Sequence, residues 1–305
     1  VRRRASAALL CCVLAAGTAA APDDGPAAWP LEEIAPGVHV HHGRHVDPEH
    51  PARGDSANLS FVVGSRCVAV IDSGGSLATG RALRAAIART TPLPVCYVIN
   101  THAHFDHVLG NAAFSADEPV FVGHANLAAA LEASRDYFGE RFAAELDGGA
   151  VVGPGLLVDD GTTLDLGGRS LELTAVGDAH SVADLIVRDS ESDTLFGGDL
   201  VFMERLPVLD GSLRGWLAWI EAATARPAAR VVPGHGPVSA PWPAALEAER
   251  AYLETLLANA RAAVADGAFL EDLTAAADAA PPAGWLLTGP HARNTGKAFR
   301  EVEWE

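Results

Sequence analysis

The sequence predicts an α/β fold built of layers, and three observations predict it. Short apolar runs rich in Val, Ile and Leu recur along the chain, bounded by Gly, Pro, Asn and Asp, which is the pattern of buried strands. Amphipathic stretches stand between some of them, so that strands and helices alternate. Polar side chains able to bind a metal follow these runs repeatedly, as a site along one sheet edge requires.

Taken in order, "VHVHH" at 38–42, "LSFVVG" at 59–64 and "CVAVID" at 67–72 read as strands. "LATGRALRAAIART" at 77–90 has the apolar spacing of an amphipathic helix. Strands follow at 95–100 ("VCYVIN") and 120–123 ("VFVG"), then helical stretches around 125–147. Strands return at 170–176, 184–189, 194–198 and 229–234. Beyond 240, "PWPAALEAERAYLETLLANARAAVADG" reads as a long helix and "HARNTGKAFREVEWE" as a closing one. Three segments result: 1–20, a domain over 31–240, and a helical extension over 241–305 packed on that domain.

At 305 residues with ordinary apolar and charged fractions, the chain can bury a sizeable core. Its net charge of -17 excludes a general nucleic-acid binder, since an acidic surface repels phosphates. The first 20 residues join the basic head Arg2–Arg4 to an apolar middle and small residues ending at Ala20. That is the build of a signal peptide, and periplasmic export is expected. A membrane anchor is the alternative, but the apolar part falls short of the ~20 residues a span needs, so no span is expected after cleavage. Export leaves Cys67 and Cys96, each five residues before a polar residue at a strand end, Asp72 or Thr101. If their strands are parallel neighbours the thiols lie at matching depth; a disulfide and two buried free thiols both remain open.

The densest chemistry is "INTHAHFDHVLGN" at 99–111. His102 and His104 can turn toward one point from a strand end, while Asp106 and His107 follow on the turn and can address a second. A lone histidine pair would pass for a surface turn. Distant residues argue otherwise: His180 in "VGDAHSVAD", Asp199 in "TLFGGD" and His235 in "VVPGHGP" all stand at strand ends, the last two beside glycines. Together they predict a two-metal centre. Histidine and carboxylate suit zinc, and also iron or manganese.

The set "THAHFDH", "GDAHS", "FGGD" and "PGHG" resembles the metallo-beta-lactamase superfamily across residues 31–240. The resemblance implies a four-layer αββα sandwich with a dinuclear site at its edge. It implies that His102, His104 and His180 bind one metal, Asp106, His107 and His235 a second, with Asp199 bridging. It also implies that Asp72 in "VIDSGG" orients the metal-binding histidines, with Thr101 assisting. "IAPGVHVHHGRH", "PVCYVINTHAHFDHVLGNAAF", "FVGHANL" and the terminal "EVEWE" are similar to the exported quinoprotein relay system zinc metallohydrolases, a SoxH-like group. That similarity implies a link to periplasmic quinoprotein dehydrogenases and gives no substrate.

The expected activity is hydrolysis of an ester, thioester, lactone or amide of a small molecule, by hydroxide held between two zinc ions. Asp106, a ligand, could also hold or shuttle a proton. The rivals are a sulfur dioxygenase with one iron on His102, His180 and Asp199, a class B-like beta-lactamase, and a metal-binding relay partner without turnover. His39, His41, His42, His45 and His50 lead into a loop that overhangs the site in this superfamily; a solvated loop is the plainer expectation. His124 is expected to be structural, and Trp216, Trp219 and Trp285 to pack helices.

Overall fold

Two sheets carry the described residues, 29–305 of a computed structural model; the expected signal peptide at 1–20 lies outside them. The first sheet hydrogen-bonds in chain order: β1 (Glu32–Ala35), β2 (Val38–His41), β3 (Leu59–Val63), β4 (Val68–Ile71), β5 (Val95–Ile99), β6 (Val120–His124) and β7 (Leu156–Val158). Pairing is antiparallel up to β4 and parallel from there. Parallel neighbours need crossovers. α1 (Leu77–Thr90) supplies the one between β4 and β5. After β5 comes the single turn α2 (Phe105–Val108), and α3 (Leu127–Ala133), α4 (Arg135–Arg141) and α5 (Ala143–Leu146) lie between β6 and β7.

The second sheet contains β8 (Gly161–Asp165), β9 (Ser170–Val176), β10 (Asp184–Asp189), β11 (Thr194–Phe202) and β12 (Arg230–His235), in the order β12-β11-β10-β9-β8. Only its β11–β12 pair is parallel, and α6 (Leu213–Thr224) makes the crossover. α7 (Glu247–Ala265), α8 (Leu270–Ala279) and α9 (His291–Val302) complete the chain.

Alternation along the strands sorts the core into layers. Phe61, Val68 and Val70 turn outward from the first sheet onto Leu83 and Ile87 of α1. Val62, Ala69 and Ile71, their chain neighbours, face inward onto Leu173, Leu185 and Phe196 of the second sheet. The outer side of the second sheet meets Trp216 and Ile220 of α6 and Leu253 and Leu256 of α7, with Ala298 and Val302 of α9 in the same cluster. The result is the four-layer αββα sandwich.

Several elements differ from expectation. β1, β7 and β8 were not visible as strands; β1 and β8 are sheet edges whose exposed polar residues, Glu32 and Thr163 among them, blur the alternation. α6 was missed although Ser212 caps it, its Oγ accepting the Gly215 N–H at 3.0 Å. α8 buries no residue and so carries no core stripe. β11 runs on past the predicted end at 198, which places Asp199 inside the strand. Cys67 and Cys96 are bonded to each other, with Cα atoms 5.8 Å apart, tying the entry of β4 to β5.

Candidate metal centre

The ligand candidates gather because four strands end together. β5 delivers Thr101, His102 and His104; α2 follows at once, with Asp106 and His107 on a helical turn rather than in a loop. His180 stands in the β9–β10 connection, Asp199 within β11, and His235 closes β12. Close approach of these backbones requires glycine at two places. A Cβ on Gly198 would lie 2.6 Å from the Thr101 side chain, and one on Gly234 would lie 2.1 Å from Asp199 Oδ1. Any larger residue would drive β11 away from its neighbours.

Two groups form: His102, His104, His180 and Asp199, and Asp106, His107 and His235, each with its ligand atoms within 4.8 Å of one another. Asp199 stands between them. Its Oδ2 lies 3.7 Å from Nε2 of His102, 3.7 Å from Nε2 of His180 and 3.3 Å from Nε2 of His235, while its Oδ1 lies 3.2 Å from His107 Nε2. Asp106 Oδ2 is 3.5 Å from His235 Nε2.

Behind the ligands, acceptors fix each imidazole tautomer. Asp72 sits at φ 59°, a left-handed conformation that is strained for a residue with a Cβ and common at functional sites. From there Oδ2 accepts from His107 Nδ1 at 2.8 Å and from Thr101 Oγ1 at 2.8 Å, and Oδ1 accepts the Thr101 N–H. Thr101 Oγ1 in turn accepts from His102 Nδ1 at 3.0 Å. His180 Nδ1 donates to the Val208 carbonyl at 2.7 Å and His235 Nδ1 to that of Ser56 at 2.9 Å. His104 is reversed: Nε2 meets Asp210 Oδ2 at 2.8 Å, and Nδ1 faces His180 Nε2 at 3.1 Å.

The inward atoms are left over. His102 Nε2, His107 Nε2 and Asp199 Oδ1 are buried and make no well-aligned hydrogen bond, the last two facing each other at 3.2 Å, an arrangement that costs stability unless something fills the gap. Electrostatics agrees. Burial holds His102, His104, His180 and His235 below the ordinary histidine range, His180 at about 3. These imidazoles are neutral and ready to ligate at neutral pH. Burial also lowers His107, but Asp199, Asp72 and Asp106 outweigh it and raise this imidazole. Asp199 stays ionised, because His235, His107 and His102 outweigh its burial. A buried donor set of imidazoles and carboxylates with unfilled inward atoms fits divalent metal ions.

Sequence spacing missed three contributors. Ser56 donates to Asp106 Oδ2 at 2.8 Å, Asp210 meets His104, and Arg205 Nη1 lies 3.0 Å from His235 Nδ1. Each comes from a loop distant from the ligand it meets; "GDS" before Asn58 and "LDGS" before α6 were the only local hints. Of the other histidines, His41 binds Asp55 at 2.6 Å and His45 binds Glu204, while His124 Nδ1 accepts the Asn126 N–H at the start of α3. None joins either ligand group. Trp216 is buried on α6 and lies edge-on to His180, its ring 5.3 Å away.

The centre opens into a cleft of about 770 Å³, walled by Phe105, Tyr137 and Phe138 and by His104, Asp199 and Arg205. No helix among the described residues is long and apolar enough to cross a membrane.

A family model described as the metallo-beta-lactamase superfamily matches residues 52–235. Among solved structures, a metallo-beta-lactamase from Pontibacter korlensis is similar at 23% identity and a TM-score of 0.59, over 74% of this chain and 98% of that one. A stereoselective inverting sec-alkylsulfatase from Pseudomonas sp. is similar at 17% identity and a TM-score of 0.69, over 90% of this chain and 50% of that one. These likenesses concern the fold. No curated protein matches the chain.

Proposed function

The chain belongs to the metallo-beta-lactamase superfamily, and from that premise we propose that it is an exported dizinc hydrolase of small esters, thioesters or lactones. One observation carries the proposal: two ligand groups, buried except for the half-buried His104, converge on Asp199, with inward atoms of His102, His107 and Asp199 left without an aligned hydrogen bond. A lone iron on His102, His180 and Asp199 would leave the buried set of Asp106, His107 and His235 without a purpose. A relay protein without turnover would not need the open cleft beside the ligands. The Cys67–Cys96 disulfide supports an oxidising compartment, and the periplasmic dehydrogenase link belongs to the same proposal.

When bound, a zinc pair supplies Lewis acidity toward a carbonyl oxygen and brings the pKa of a coordinated water to about 7. The chain does the rest. Asp72, Thr101, Asp210 and the carbonyls of Ser56 and Val208 hold the outer imidazole protons, so the inner nitrogens present lone pairs. Asp106, pinned by Ser56 and lining the cleft, is the carboxylate placed to take up and return a proton at Oδ1 or Oδ2. Phe105 and Phe138 present apolar surface to the substrate.

A carboxylate at the centre, rather than a neutral group, adds negative charge between the two ligand groups. That damps Lewis acidity and disfavours amides, whose leaving nitrogen needs help. Esters and thioesters leave more easily. A kcat/KM panel with the zinc-loaded protein tests this. Activated esters, thioesters or lactones should be cleaved at least tenfold faster than penicillins or carbapenems, and efficient carbapenem hydrolysis with negligible ester activity would overturn the proposal.

A further inference from the structure

A second cavity, of about 530 Å³, lies on the outer side of the second sheet, between α6 and the strands β9, β10 and β11. It shares no lining residue with the metal cleft and holds none of the ligand candidates. Alternation along the strands makes its floor. Leu173, Leu185, Val187 and Phe196 face inward, into the core between the sheets. Their chain neighbours Thr174, Ile186, Arg188 and Leu195 face outward and line the cavity. α6 roofs it with Gly215, Ala218, Trp219, Ala222 and Ala223, which share one helical face. All but Trp219 end at or before Cβ, so the space between helix and sheet stays open.

Both ends of the cavity are held. At one, Gly215 stands so close to the Asp178 carbonyl that a Cβ there would collide with it. At the other, the Trp242 indole N–H donates to the Arg226 carbonyl at 2.8 Å, and Arg188 Nη2 donates to the Pro227 carbonyl at 3.2 Å. The opening is therefore built into the packing of helix on sheet.

The chemistry of the walls selects the occupant. Ile186, Leu195, Trp219 and Trp242 pack on the core yet are only partly buried, and all four line this one concavity. Apolar surface gathered in a concavity with a few polar groups is the character of a small-molecule site. The charges around it balance, Arg188 and Arg226 against Glu172 and Asp178, and Arg188 Nε already donates to Asp193 at 2.8 Å. No net charge awaits a counter-ion, so the ligand that fits is neutral. Size excludes a protein or a second copy of the chain. A stable interface needs about 800 Å² on each partner, far more than the wall of such a cavity offers, whereas its volume falls within the roughly 300–1,000 Å³ of ligand pockets.

We propose that this cavity is a second binding site, taking one flat, neutral aromatic molecule between α6 and the sheet, against Trp219 and Trp242. The site is independent of the hydrolase reading. The probe is 2-naphthol, uncharged at neutral pH, titrated by calorimetry into zinc-loaded wild type, Ala223→Phe, Trp219→Ala and Tyr137→Ala. Ala223→Phe fills the cavity, Trp219→Ala removes a wall, and Tyr137→Ala alters only the metal cleft. Metal content and circular dichroism are measured on each.

Wild type should bind one naphthol per chain. Ala223→Phe and Trp219→Ala should each bind it at least tenfold more weakly with metal content unchanged, and Tyr137→Ala as wild type does. Naphthalene-2-sulfonate, the same ring with a charge, should bind wild type at least tenfold more weakly than the naphthol. No binding to wild type, or equal affinity in wild type and both cavity variants, overturns the site. Weakening in Tyr137→Ala alone places the naphthol in the metal cleft and overturns it too. Equal affinity for naphthol and sulfonate overturns the neutral class of ligand. If Ala223→Phe does not fold, equal affinity in wild type and Trp219→Ala is enough to overturn the proposal.

Discussion

Single residues divide into those that present an inward atom and those that aim it. His102→Ala and Asp199→Ala remove inward atoms, so each should lower metal content and abolish turnover while circular dichroism stays that of a folded protein, because the sheet cores are built from other residues. Full metal occupancy with unchanged activity in both would remove them from the centre. Asp210 is an aiming residue. Its loss leaves the His104 Nε2 proton without its carboxylate, and Asp210→Ala should weaken metal binding about 10- to 100-fold, read by competition with a chelator. The seven ligand candidates were legible in the sequence because they are crowded in "THAHFDH" or stand at the ends of apolar runs. Ser56, Arg205 and Asp210 were not, since only the folded chain brings their loops to the site.

Elements behind the centre hold it through their own buried polar contacts. α9 clamps the 206–211 segment: Asn294 accepts the Leu209 N–H and donates to the Pro207 carbonyl, Lys297 donates to the Asp210 carbonyl, and Arg293 pairs with the Asp210 carboxylate. His180 is anchored to the same segment, its carbonyl accepting from Asp210 and Gly211. α7 contributes Glu249, fully buried, whose Oε1 accepts the Phe202 N–H at 3.0 Å at the end of β11 and whose Oε2 has no partner. Burial, against the Phe202 hydrogen bond, raises this carboxyl well above its usual 4.5. The folded state therefore binds a proton that the unfolded state releases. Stability from this group is complete below pH 4.5 and declines as pH rises toward the folded-state value. Urea unfolding of metal-free wild type should show that decline, and Glu249→Gln, neutral at every pH, should remove it; identical slopes would place the proton elsewhere. Neither clamp was readable, because helix periodicity reports which face is buried and not which backbone groups that face must satisfy.

The whole molecule is two sheets face to face, and the strands that build their shared core were the legible part: β3, β4, β5 and β10 announce themselves by unbroken apolar runs and β9 by its apolar–polar alternation. Edges and α8 did not, having little apolar surface to show. The disulfide staples this frame at the β4–β5 crossover. It closes a loop of 29 residues, so its reduction should lower unfolding free energy by about 3 kcal/mol, seen as a shift in the urea midpoint of Cys67→Ala/Cys96→Ala against the oxidised protein. An unchanged midpoint would mean the bond constrains nothing that unfolding releases. The central claim concerns what the converging strand ends hold, and metal stoichiometry by elemental mass spectrometry tests it most directly. Protein purified without added metal and then loaded should retain two zinc ions per chain, both lost from Asp199→Ala together with ester hydrolysis; one iron per chain, or no retained metal, would contradict the account.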